Sequence, residues 1–249
     1  MTRSTASAPL RLDQALVDRG LVESRQKAQA LIRAGEVRLD GERAERADQR
    51  VAPGAAVELR ATPRFVGRGG EKLSGALDDL GVDPRGRVCL DAGASTGGFT
   101  DALLQRGARL VYAVDVGYGQ LAWRLRQDGR VVVMERTNIR DLALLDGPPP
   151  ELAVGDLSFI SLRQVMPAIR RLMTPEAELL MLLKPQFELG RGRVGKGGIV
   201  RNQEDRDEVL SSFVAWAEAE GLEVVATAPS KVVGAKGNQE YFVHMKAHV

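Results

Sequence analysis

Residues 89–107 read CLDAGASTGGFTDALLQRG: a short apolar strand, a tight turn holding Gly93, Gly97 and Gly98, and a helix beginning near Phe99. Glycines in such a turn permit positive φ and a close backbone approach to a ligand, and a helix start offers free amide donors. A Walker loop requires G-x-x-x-x-G-K-[ST], and this loop has no lysine. A dinucleotide loop requires G-x-G-x-x-G, which Gly93-Ala-Ser-Thr-Gly97-Gly98 does not supply. Asp91, just ahead of the glycines, points instead to S-adenosylmethionine. Its sulfonium and amino group are cationic and it carries no phosphate, so an acidic strand end suits it. Asp91, Gly93, Ser95, Gly97 and Gly98 are the loop's candidate ligand contacts.

Outward from this loop, apolar runs at 109–117, 130–138, 151–159, 178–188, 222–230 and 239–246 alternate with helical patterns at 71–80, 99–106, 120–127, 161–172 and 204–220. That alternation predicts a mostly parallel α/β sheet covered on both faces. Ligands bind such sheets beyond the carboxyl ends of the strands. Asp115, ending the second strand, suits the hydroxyls of a ribose, and Asn138, ending the third, suits the adenine region. Asp156 ends the fourth strand. Lys184 follows the five apolar residues of LLMLL and precedes Pro185, which has no amide to extend the pairing. The last two strands read as a hairpin. If its first strand runs parallel to the others, Glu240 starts the second at the same rim. Lys72 precedes the first strand and is not placed by this reasoning. GRGRVGKGG, residues 190–198, has Walker spacing, but Gly197 stands where a Ser or Thr should hold magnesium. We read it as a flexible basic loop reaching RNA phosphates, not as an ATP site.

Residues 1–60 form a separate pattern. Leu12, Ala15, Leu16 and Val22, then Ala28, Leu31 and Ile32, recur at helical spacing. Gly20 and Gly35 are helix stops, Ser24 is an N-cap, and Asp40-Gly41 marks a hairpin turn. Residues 61–70, with Pro63 and Gly69-Gly70, read as a linker, and 71–249 as the second domain. Residues 1–70 hold 13 Lys/Arg against 9 Asp/Glu, whereas the remainder is slightly acidic. The candidate nucleic-acid contacts are Arg11, Arg25, Lys27, Arg33, Arg64 and Arg68.

Composition narrows the remaining classes. Aromatics make up 4%, too few for a nucleic-acid surface built mainly on stacking. One cysteine, Cys89, and two histidines exclude a disulfide framework and leave almost no material for a metal site, so none is expected. No run approaches the roughly 20 apolar residues of a membrane span. A cytoplasmic protein is expected, with no membrane and no DNA partner.

Lys72, Asp156, Lys184 and Glu240 stand in the Lys-Asp-Lys-Glu order of FtsJ-like ribose 2′-O-methyltransferases, and RLDQALVDRGLVESRQKAQALIRAGEVRLDG resembles the S4 RNA-binding module. With GRGGEKL, LDAGASTGGFT, DVGYGQL, DLSFISL, LLKPQFE, GKGGIV and GNQEYF, the whole chain resembles the TlyA family, often labelled hemolysins. The resemblance implies a Rossmann-like class I fold of seven strands, the last antiparallel, behind a small S4-like domain. It implies S-adenosylmethionine as cofactor, cytidine ribose in ribosomal RNA as substrate, and these four residues as the catalytic set. Asp156 would also border the cofactor. Within the family, a longer C-terminal tail goes with modification of both ribosomal subunits. A chain ending at Val249, soon after its last strand, is expected to favour 23S over 16S rRNA. Lys184 could take the ribose proton if desolvation and Lys72 favour its neutral form, or could steer the hydroxyl and stabilise the developing oxyanion. Asp156 and Glu240 would orient the lysines. The competing classes are a non-enzymatic ribosome-assembly factor and a membrane-active hemolysin.

Overall fold

A computed structural model describes residues 9–59, 64–190, 192–195, 197–234 and 237–247, in two compact units that divide between Pro63 and Arg64. The first unit contains β1 (Leu10–Arg11), α1 (Leu12–Asp18), α2 (Arg25–Ala34), β2 (Val37–Leu39), β3 (Glu42–Arg43), β4 (Arg50–Val51) and β5 (Val57–Leu59). Leu12, Ala15, Leu16, Ala28, Ile32 and Val37 form its buried core. Ser24 caps α2 by accepting from the Lys27 amide at 3.2 Å, and Gly35 ends it at a φ of 77°. Asp40 and Gly41, both at positive φ, turn β2 into β3.

The second unit opens with α3 (Arg68–Asp79) and continues with β6 (Val88–Ala92), α4 (Gly98–Gln105), β7 (Leu110–Val114), α5 (Trp123–Arg126), β8 (Val131–Met134) and β9 (Leu152–Gly155). It ends with α6 (Leu162–Leu172), β10 (Glu178–Leu183), α7 (Pro185–Glu188), α8 (Gln203–Ala219), β11 (Leu222–Pro229) and β12 (Tyr241–Ala247). Seven strands join in the order β11-β12-β10-β9-β6-β7-β8, and β12 runs antiparallel to both neighbours. The remaining ladders are parallel, so the expected hairpin geometry holds. Alternate residues serve opposite faces. Val88, Leu90 and Ala92 pack with α6 and α8 residues, whereas Cys89 packs with α3 and α4 residues. Burial pushes the Cys89 thiol up to about 12, leaving it inert.

Two boundaries differ from expectation. Of the stretch read as a linker, 61–63 lie outside the described residues, while Arg64–Gly70 belong to the sheet unit. Phe65 is buried in the same cluster as Leu73, Leu77 and Phe99, and the Val66 amide donates to Asp101 at 2.8 Å. A lone phenylalanine between glycines and arginines does not announce that anchorage. The run at 178–188 is strand only to Leu183; Pro185 then starts a single helical turn, where its missing amide costs nothing.

Candidate active site

The strand order reverses between β6 and β9, and two adjoining cavities of about 490 and 440 Å³ open beyond the carboxyl ends there. Gly93, Ser95, Asp156, Ser158 and Phe159 line both.

The larger cavity holds two lysine–carboxylate pairs. Lys72 Nζ donates to Glu240 Oε2 at 2.6 Å, with both side chains buried. Lys184 Nζ lies 2.6 Å from Asp156 Oδ1 and donates to Ser158 Oγ at 2.9 Å. Lys72 reaches the strand ends because α3 and α4 cross closely. A β-carbon at Gly98 would sit 2.8 Å from the Gly70 nitrogen and 3.1 Å from Gly69 Cα. Glu240 needs an equally bare neighbour, since a β-carbon at Gly234 would collide with its carboxylate. Asn238 holds one wall, accepting from the Val200 amide at 3.0 Å and donating to the Gly198 carbonyl at 2.8 Å.

The smaller cavity is bounded by Gly93, Ser95, Asp115, Gln120, Asn138 and Asp156, among others. Asp115 accepts the amides of Ser95 at 2.8 Å and Gly117 at 2.6 Å, which holds its carboxylate rigidly at the end of β7. A carboxylate has about four acceptor sites, so two remain for a diol. Gly93, at a φ of 86°, lets the loop pass the Asp156 carbonyl, which a β-carbon would approach to 3.0 Å. Asn138 accepts from the Arg140 amide at 3.2 Å. These residues fit S-adenosylmethionine: acids and a bare backbone for a cationic nucleoside, and no cation in the loop for a phosphate.

Two expected loop contacts are placed elsewhere. Gly97 lines neither cavity; a β-carbon there would strike Leu125 and Leu121, so its role is packing. Asp91 is fully buried beneath the loop, accepting from Thr100 Oγ1 at 2.6 Å. Burial raises its pKa to about 7, against the opposing hydrogen bond from Thr100. The folded form therefore keeps a proton that the unfolded chain releases in the ordinary carboxylate range, and stability falls as pH rises from that range to about 7. Asp91→Asn, which keeps an acceptor for Thr100, is expected to remove this part of the decline. Urea midpoints of both proteins at about pH 4 and about pH 8 check it, and parallel declines would count against it.

Ser158 and Phe159 are cavity residues that the strand-end reasoning passed over. Both follow Asp156 in DLSF, and that adjacency was the available signal. Phe159 is 92% exposed at a φ of 65°, its ring 5.3 Å from that of Phe187. In the basic loop, Lys196 lies outside the described residues, and Arg193 is held by Asp205 and Glu208 of α8.

The proposed RNA contacts divide into two kinds. Arg11 donates twice to Asp13, at 3.0 and 3.2 Å, Arg25 donates at 2.9 Å, and Gln29 adds a fourth bond. Chiefly through Arg11, that fully buried carboxyl is held well below the usual carboxylate range. Lys27 and Arg33 are exposed on α2 with no ion-pair partner among the described residues. Arg64 lies over the Phe65 ring at 4.8 Å, and Arg68 donates to the Val233 carbonyl at 2.9 Å beside the larger cavity.

A cationic nucleoside seated in the smaller cavity would face the paired lysines of the larger one across Asp156 and Ser158, an arrangement suited to group transfer. On a Rossmann-like α/β sheet, this is the architecture of a methyltransferase. A family model for FtsJ-like methyltransferases matches residues 65–247, and one for the S4 domain matches 10–57. The 16S/23S rRNA (cytidine-2′-O)-methyltransferase TlyA of Mycobacterium tuberculosis is 46% identical over 239 residues, 95% of this chain and 89% of that one. Hemolysin A of Brachyspira hyodysenteriae is 39% identical over 237 residues, covering 94% and 99%. A solved structure from Streptococcus thermophilus, described as a hemolysin, superposes with a TM-score of 0.74 at 39% identity, covering 97% and 89%. The chain belongs to the TlyA family of FtsJ-like methyltransferases with an N-terminal S4 domain.

Proposed function

We propose that this protein methylates the 2′-hydroxyl of a cytidine ribose in ribosomal RNA, with 23S rRNA preferred, in a cytoplasmic setting. The observation that carries the reading is the pair of lysine–carboxylate contacts, Lys72–Glu240 and Lys184–Asp156, in one cavity next to the nucleoside-fitting one. When bound, S-adenosylmethionine supplies an electrophilic methyl group. Asp115 would hold its ribose, Asn138 its adenine side, and the Gly93–Gly98 loop its remainder.

A ribose hydroxyl is a weak nucleophile and must give up its proton as it attacks. Lys184 meets that hydroxyl, with Asp156 as its ion-pair partner. Lys72, buried and paired with Glu240, places a second cation in the same cavity and favours the developing negative charge on the ribose oxygen. Lining up nucleophile and methyl contributes further rate without a further catalytic group. The first unit supplies the electrostatic grip on RNA, chiefly through Lys27 and Arg33 of α2.

The reading is tested by transfer of labelled methyl from S-adenosylmethionine to separated ribosomal subunits, followed by mapping of the modified nucleotide. Cytidine 2′-O-methylation of 23S rRNA is expected; no transfer to either subunit would overturn the reading. Lys27→Glu with Arg33→Glu is expected to weaken RNA binding and lower its salt dependence by about one phosphate contact per residue. Cofactor affinity should be unchanged. An unaltered salt slope would remove α2 from the RNA interface.

A further inference from the structure

A lysine ammonium has three donors in fixed tetrahedral directions. For Lys184 one is taken, by Ser158 Oγ at 2.9 Å; Asp156 Oδ1 lies 2.6 Å from Nζ as an ion pair, outside hydrogen-bond geometry. No further polar partner of Nζ is found among the described residues, and the Phe187 ring centroid is 5.8 Å away. With Asp156 alone, the amine could pivot about the line joining Nζ to Oδ1. The hydrogen bond to Ser158 removes that freedom and, with the Cε–Nζ bond, fixes the directions of the two remaining positions. We propose that Ser158 is a positioning residue for methyl transfer, fixing the rotation of the Lys184 amine so that an unshared position on Nζ faces the ribose hydroxyl. The inference rests on the function proposed above.

The assignment holds for either charge of Lys184. As an ammonium it presents an N–H not shared with Ser158. As a neutral amine it keeps one N–H on Ser158 and offers its lone pair in one of the two remaining positions. In both cases Ser158 sets the directions open to the hydroxyl.

The surroundings favour positioning over simple hydrogen-bond satisfaction. Ser158 is exposed and lines both cavities, so its hydroxyl could be satisfied by water and needs no protein donor. Lys184 is only 7% exposed and does need acceptors. The segment carrying Ser158 is also braced. Phe159 holds a positive φ, a conformation that persists only where the surroundings impose it. At the far end, Glu188 accepts from Ser161 Oγ and from the Leu162 amide, each at 2.7 Å. Lys184 precedes α7 and Glu188 ends it, while Asp156, Ser158 and Ser161 share the opposing loop. The two segments are thus tied at both ends, and the Lys184–Ser158 contact is the tie facing the substrate.

The test uses the full chain, labelled S-adenosylmethionine and ribosomal subunits. Ser158→Ala is expected to lower kcat about 10- to 100-fold, the scale of a small misalignment of reacting groups. KM for the subunit should stay within about twofold, the kcat loss should persist at saturating cofactor, and Ser158→Thr should recover most of the rate. Wild-type kcat in Ser158→Ala, a loss confined to KM or cofactor affinity, or no recovery in Ser158→Thr would each overturn the inference. Failure of the underlying reading looks different. In that case the unmodified protein transfers no methyl group, or Lys184→Ala is as active as wild type.

Discussion

Lys184→Ala is expected to lower kcat for ribose methylation by about 10²- to 10⁴-fold, the range for removing a proton acceptor or an oxyanion-stabilising group. Cofactor affinity should change little, because Lys184 lines the larger cavity and not the smaller one. The cost in stability should also be modest. The partner left behind, Asp156, has 23% of its side chain exposed and can recover hydration. Lys184→Arg retains the charge but presents a planar fork that remains protonated. We expect it to be nearly as slow as Lys184→Ala, since the fork cannot place a single donor or lone pair where the ammonium stood. Single-turnover rates with saturating cofactor separate this loss from any change in binding. Full activity in Lys184→Ala would end the catalytic assignment.

What could be read ahead of the structure follows a physical line. Strands buried on both faces appear as unbroken apolar runs, such as LLMLL at 179–183, and their ends are marked by the first polar residue. In a parallel sheet those ends share one edge, which is why Asp115, Asp156 and Lys184 could be grouped without coordinates. Glu240 required one more step, the direction of a hairpin. Lys72 was out of reach of this reasoning. Its place depends on the α3–α4 crossing, where Gly69 and Gly70 meet Gly98, a contact between distant segments that leaves no local periodicity. Asp91 shows the opposite difficulty. It stands at a strand end like the others, but strand alternation turns its side chain under the loop toward Thr100. A pattern of residue types does not distinguish an acid facing a ligand from one fastening the loop that holds it. Ser158 was overlooked for a simpler reason: serine is common in turns, and only its distance to Lys184 gives it meaning.

The Lys72–Glu240 pair allows stability and chemistry to be separated. Nζ and Oε2 are 2.6 Å apart, and the two side chains are 9% and 3% exposed. Removing one partner of such a pair leaves an uncompensated buried charge, a loss of about 3–5 kcal/mol. Glu240→Leu and Lys72→Met are each expected to lower the unfolding free energy on that scale. Replacing both should recover most of it, because an apolar pair of similar volume is often as stable as a buried ion pair. If the pair serves methyl transfer, the recovered double variant should remain inactive despite its restored urea midpoint. Its cofactor affinity should be close to wild type, since neither residue lines the smaller cavity. A double variant that is both stable and active would assign the pair to structure alone, and the chemistry would then fall to Lys184 and Asp156.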